Sequence, residues 1–194
     1  MVVVNDATRA TGLAEALVAG SLPVAEVTLR TPAAADAIAA MAKHPNLLVG
    51  AGTVLTPAQV DLAVDAGARF LVSPGLSVAT VARAAERGVP IVPGTVTPSE
   101  VMAALSAGLN LLKFFPAANY GGAGTVKAFA SVFGRVRFVP TGGVSASNLG
   151  DYLSLPNVPA VGGSWMVPPA AIDAGDFATV QQLSAEAVAA AAAL

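Results

Sequence analysis

A chain of 194 residues, 55% apolar and only 11% charged, is long enough for a single domain with a full core. Twelve acids against ten bases give a net charge of −2 with no basic block, which argues against nucleic-acid binding. The absence of cysteine excludes disulfides, thiolate metal sites and Cys nucleophiles, and the single histidine, His44, leaves little for a histidine-rich metal centre.

The start, Met1-Val2-Val3-Val4-Asn5-Asp6, has neither a basic segment nor a long apolar run, so it does not read as a signal peptide. The apolar stretch from Val101 to Ala118 contains Gly108, Asn110, Lys113 and Pro116 and is no membrane span. The expectation is a soluble, cytoplasmic protein. Its apolar composition then points to strands buried on both faces, to subunit contacts, or to both.

In chain order, short apolar runs predict strands at Val2–Val4, Pro23–Leu29, Leu47–Gly50, Arg69–Ser73, Pro90–Pro93, Leu109–Phe115, Val136–Pro140 and Val158–Gly162. They alternate little, as parallel strands covered by helices do. Ala- and Leu-rich stretches of helical spacing lie between them. Thr31-Pro32, Thr56-Pro57 and Thr97-Pro98 predict helix starts, with a capping hydroxyl before a first-turn proline. Gly20, Gly67, Gly88 and Gly108 predict helix ends, and Phe177–Leu194 a closing helix. Eight strands, each followed by a helical segment and with no break in composition, predict one (β/α)8 barrel over residues 1–194. A doubly wound open sheet is the architectural alternative.

Lys113 stands in Leu-Asn-Leu-Leu-Lys-Phe-Phe-Pro, an apolar strand where an ammonium is costly. An apolar pocket lowers a lysine's proton affinity and makes it a nucleophilic amine. The alternative is a strand-end lysine whose stem packs while its head reaches water. Glu26, in Pro-Val-Ala-Glu-Val-Thr-Leu-Arg, is the second charge inside an apolar strand. Desolvation raises a carboxyl pKa and suits it to proton transfer. A structural salt bridge is the competing reading. Glu26, Thr28 and Arg30 share one side of their strand, but Glu26 and Arg30 lie about 13 Å apart along it and are not natural partners. Arg30 offers a bidentate fork to a carboxylate or phosphate, or is a plain surface arginine.

Gly-Gly pairs follow the seventh and eighth predicted strands, at Thr141-Gly142-Gly143 and Gly162-Gly163-Ser164. Barrels bind phosphate on backbone amides in those two loops, and glycine lets the anion approach. Tight turns are the alternative. No carboxylate–histidine set with metal spacing occurs, so neither metal nor cofactor is expected. A Gly-x-Ser-x-Gly elbow and a dinucleotide fingerprint are likewise missing.

Taken together, Glu-Val-Thr-Leu-Arg (26–30), Gly-Ala-Gly-Thr-Val-Leu (50–55), Ser-Pro-Gly (73–75), Lys-Phe-Phe-Pro-Ala (113–117), Pro-Thr-Gly-Gly-Val (140–144) and Gly-Gly-Ser-Trp (162–165) resemble bacterial 2-keto-3-deoxy-6-phosphogluconate (KDPG) aldolases. Several of these also act on 4-hydroxy-2-oxoglutarate (KHG). The likeness runs from Val2 to the C-terminus with the motifs in order. It implies a homotrimeric class I aldolase acting on a phosphorylated keto acid, with Lys113 forming the Schiff base and Glu26 as general acid and base. It further implies that Arg30 and Thr53 hold the keto acid's carboxylate while Pro74 and Phe115 shape the pocket. Thr141 would orient the aldehyde half, and Gly142, Gly143, Gly163 and Ser164 would bind the phosphate. Relatives carry a helix before the first strand, whereas this sequence starts almost inside that strand, so the expected barrel lacks that helix. Rival readings are an aldolase for the galactonate epimer, a sugar-phosphate isomerase without an imine, and a non-catalytic trimeric scaffold.

Overall fold

The computed structural model describes residues 1–194. Seven strands are formed: β1 (Val24–Thr28), β2 (Leu48–Gly52), β3 (Leu71–Val72), β4 (Ile91–Val92), β5 (Gly94–Thr95), β6 (Leu111–Phe114) and β7 (Arg137–Pro140). All neighbours pair in parallel, β1-β2-β3-β4 in one run and β5-β6-β7 in another. Pro93, which has no N–H to give, separates β4 from β5, yet its carbonyl accepts from the Lys113 amide at 2.8 Å and joins the two runs.

The outermost predicted strands are reduced to single bridges, Val2 with Val27 and Thr141 with Gly162. Between them the Met1 nitrogen donates to the Gly163 carbonyl at 2.8 Å. The ring of backbone bonds thus closes into the expected barrel, and an open sheet is ruled out. Val158–Gly162 does not form a full strand: only Gly162 pairs, and Pro159 interrupts the donors before it.

Nine α-helices surround the strands, among them α1 (Ala10–Ala19), α2 (Ala34–Met41), α3 (Pro57–Asp65), α4 (Val78–Glu86), α5 (Pro98–Ser106), α6 (Gly122–Val132), α7 (Leu149–Leu153), α8 (Pro169–Ala174) and α9 (Phe177–Ala192). Thr56 and Thr97 cap α3 and α5 as expected, the second in a full capping box with Glu100. Thr31 does not cap α2. Its hydroxyl donates to the Val4 carbonyl at 2.5 Å, tying the first segment to the loop after β1, and the helix starts later, at Ala34. Gly67, Gly88 and Gly108 adopt the left-handed conformation expected of helix ends. Gly20 does not; Ser21 takes it instead, at φ 60°. A Cβ on Gly20 would strike Ser184 and the Gln181 carbonyl, so that glycine serves the close approach of α9 to α1.

Side chains alternate between the helix layer and the barrel interior. Val27, Ala51, Leu71, Leu112, Phe114 and Phe138 face outward and are buried under the helices. Phe114, Phe129 and Phe138 meet largely edge to face, with centroids 5.7–6.3 Å apart. The intervening positions, Glu26, Gly50, Gly52, Lys113, Val139 and Thr141, share the interior. Asp61 of α3 receives both Arg83 of α4 and Arg87 just past its end, a surface network that fixes how neighbouring helices sit.

Candidate active site

Lys113 arrives at the interior because β6 alternates: Leu112 and Phe114 point into the helix layer, so Lys113 points inward. It is 3% exposed. Its register partners are Gly94 of β5 and Val139 of β7, one side-chain-free and one apolar, so neither strand supplies an acceptor. The nearest opposite charge comes from β1: Nζ lies 3.6 Å from Glu26 Oε1. That is ion-pair contact, slightly longer than a hydrogen bond, so charge rather than a shared proton links the two groups. Burial pushes the Lys113 ammonium below the ordinary lysine value; Glu26 draws it back up, and the Arg30 guanidinium adds to the lowering. The amine is therefore more often neutral, and nucleophilic, than an exposed lysine. Its head also sits 4.8 Å from the centre of the Phe115 ring.

A cavity of about 360 Å³ surrounds these groups and runs toward the N-terminal ends of the strands, past Val72, Phe70 and Val24. Glu26, Lys113, Thr141 and Gly163 are all in its wall. Just past the C-terminal ends of β1 and β2, Arg30 Nε donates to Thr53 Oγ1 at 3.1 Å. Thr53 holds φ 57°, a left-handed conformation that is strained for a β-branched residue. The pair presents a guanidinium and a hydroxyl at the C-terminal ends of β1 and β2. Pro74 reaches the site through its backbone: its carbonyl lies so close to Gly94, beside Lys113, that no Cβ fits there.

The loop after β7 is stitched to the segment after β6. The Ala117 amide donates to the Thr141 carbonyl at 2.8 Å and the Ala118 amide to the Gly142 carbonyl at 3.0 Å. Gly142 and Gly143 are left-handed, φ 91° and 80°, which leaves the space against Phe115, Pro116 and Ala118 free of side chain. Asn148 donates to the Gly143 carbonyl at 2.9 Å and fixes the turn. The Gly162 amide donates to the Pro140 carbonyl at 2.8 Å and sets the next loop alongside. The amides of Gly142, Gly143, Gly163 and Ser164 make no hydrogen bond within the chain. Adjacent loops thus offer free donors, the arrangement an anion takes up. Trp165 folds its ring over Gly163 and packs against the core.

The structure therefore brings Lys113, Glu26, Thr141 and Gly163 to one cavity, places the Phe115 ring against the Lys113 head, sets Arg30 with Thr53 just past the C-terminal ends of β1 and β2, and runs the two glycine loops side by side. The structure adds Phe70 to the cavity wall. Its ring fills the space over Gly50, which no side chain could share. The only hint in the sequence was a glycine inside a strand, a sign of something approaching closely.

The family profile for KDPG and KHG aldolases matches residues 1–183. The chain is 48% identical over 189 residues to the KHG/KDPG aldolase of Escherichia coli K12, covering 97% of this chain and 89% of that one. The crystal structure of the Zymomonas mobilis ZM4 KDPG aldolase with 3-phosphoglycerate superposes with a TM-score of 0.90 at 46% identity, covering 96% of this chain and 88% of that one. The Legionella pneumophila KDPG aldolase, with pyruvate captured as a covalent carbinolamine, gives a TM-score of 0.92 at 44% identity and covers 95% and 90% of the two chains. A buried lysine–carboxylate pair in a closed barrel and likeness along nearly the whole chain agree: this protein belongs to the KDPG and KHG aldolase family.

Proposed function

We propose that the chain is a class I aldolase that cleaves 2-keto-3-deoxy-6-phosphogluconate to pyruvate and glyceraldehyde 3-phosphate, and 4-hydroxy-2-oxoglutarate to pyruvate and glyoxylate. The observation that carries this reading is the buried Lys113 amine beside Glu26. The neutral amine adds to the C2 ketone, and loss of water from the carbinolamine leaves a protonated imine. Electrons of the C3–C4 bond flow into that imine as Glu26, directly or through a water, takes the proton of the C4 hydroxyl. The aldehyde departs, and the enamine regains a proton at C3 from the Glu26 carboxyl. Hydrolysis of the imine frees pyruvate and Lys113.

Arg30 and Thr53 hold the carboxylate of the keto acid, Phe115 and Pro74 bound the pyruvyl half, and Thr141 orients the aldehyde half. The free amides of Gly142, Gly143, Gly163 and Ser164 take the phosphate. What supports this division is geometry: a guanidinium hydrogen-bonded to a hydroxyl at the C-terminal strand ends, one hydroxyl in the cavity wall, and two loops with unused donors. The working assembly is a homotrimer. Large exposed apolar residues at the helix layer and loops, Val78 at 72%, Met102 at 61% and Leu55 at 53%, support burial between copies.

The test is turnover. Purified protein is given each keto acid in turn, with pyruvate and the aldehyde measured separately. Equimolar release of both, with the phosphorylated substrate giving the higher kcat/KM, is expected; no pyruvate from either substrate overturns the reading. Light scattering of the same sample reports three copies, or refutes the trimer.

A further inference from the structure

Gly52 ends β2 opposite Thr28, with Gly50 opposite Glu26, so both glycines lie on the interior face that Glu26 occupies. The backbone does not ask for glycine at Gly52, because its φ is not in the left-handed region; the residue that is left-handed is the next one, Thr53. The reason for glycine is space. A Cβ built on Gly52 would lie 2.7 Å from Cγ and Cδ of Glu26 and closer still to Oε1. Optimal carbon contacts are about 3.5–4.0 Å, so the whole bend of the Glu26 side chain, not just its tip, would have to move. Nothing else restrains that side chain by a directed bond: Oε1 is buried and has no hydrogen-bond partner. Its position rests on the gap above Gly52 and on two cations, the Lys113 ammonium and the buried Met1 amino group that faces the same carboxylate.

We propose that Gly52 is a positioning residue, whose missing side chain is the slot that holds the Glu26 carboxylate against Lys113. This rests on the roles given above to Glu26 and Lys113. Alanine at Gly52 keeps the strand and its backbone bonds but fills the slot. The carboxylate then leaves Lys113, and the amine loses the charge that supports its protonated form. A carboxylate one methylene shorter would fit beside the new methyl group.

The experiment compares wild type, Gly52→Ala, Glu26→Gln, Glu26→Asp and the double variant Gly52→Ala/Glu26→Asp. Acylation of Lys113 by acetic anhydride, followed by peptide mass mapping across pH, reads the amine without requiring any aldolase activity. Exchange of pyruvate methyl hydrogens in D2O, followed by NMR, reads proton transfer at the enamine. Gly52→Ala is expected to shift the acylation midpoint to lower pH, in the direction of Glu26→Gln, and to slow exchange by about tenfold or more. The double variant is expected to exchange faster than Gly52→Ala alone. An unshifted midpoint in Gly52→Ala, or losses that simply multiply in the double variant, overturns the proposal. If Gly52→Ala alone does not fold, a folded double variant supports the slot and an equally unfolded one overturns it. A wild type that exchanges no pyruvate hydrogens overturns the aldolase reading, while the acylation midpoints still decide the role of Gly52.

Discussion

Arg30 Nε donates to the hydroxyl of Thr53, and Thr53 accepts it from a left-handed backbone, φ 57°. A β-branched residue held there costs about 1–3 kcal/mol, which the surrounding barrel has to hold in place. Apart from a long contact of 3.9 Å with the Met1 sulfur, the bond to Thr53 is what holds the guanidinium, on an exposed side chain that otherwise samples many rotamers.

Replacing Thr53 by glycine separates these two effects. Thr53→Gly relieves the strain and is expected to raise the thermal midpoint slightly, by an amount equivalent to about 1 kcal/mol after the entropy cost of glycine. It also releases Arg30, so KM for the keto acid is expected to rise more than kcat falls. Calorimetry and steady-state kinetics check the two halves, and a lower midpoint with unchanged KM contradicts both.

Removing the Glu26 charge without its shape is the second test. Glu26→Gln is expected to lower kcat by about 10²–10⁴-fold, the usual contribution of a general acid–base group. Its pH dependence has a definite sign. Glu26 raises the Lys113 pKa, so its loss leaves the amine neutral to lower pH. The acidic limb of pyruvate imine formation therefore moves to lower pH in Glu26→Gln, measured by reductive trapping across pH. A shift to higher pH contradicts the arrangement.

The packing prediction concerns Phe114, the outward neighbour of Lys113. It is fully buried between Phe129 and Phe138. Phe114→Ala is expected to lose about 3–5 kcal/mol of stability by transfer and cavity terms, seen in urea titration. A loss under about 1 kcal/mol would mean that this aromatic cluster collapses around the gap.

Much of the site is legible in the sequence because charge inside an apolar strand is conspicuous. Lys113 and Glu26 stand out on that ground alone, and period-two alternation turns both toward the barrel interior. The paired glycines after β7 and before Ser164 are legible for a different reason, their place at consecutive strand ends. Thr31-Pro32 misleads because a threonine before proline has more than one use: here the hydroxyl serves the Val4 carbonyl instead of a helix. Gly20 misleads likewise, since close packing of helices and a left-handed turn both select glycine. The same ambiguity hides Gly50 and Gly52. A glycine carries no sign of what fills its space, and only the folded barrel shows Phe70 over one and Glu26 over the other. The thin pairing at Val2 and Gly162 is equally silent, because apolar composition marks a strand but not how many of its bonds form.

The central claim is that Lys113 forms the imine, and the most direct measurement is borohydride reduction in the presence of pyruvate followed by peptide mass mapping. The account predicts one pyruvyl adduct, on the peptide containing Lys113, and none in folded Lys113→Ala. An adduct on Lys43 or Lys127, or no adduct on folded wild-type protein, would contradict it.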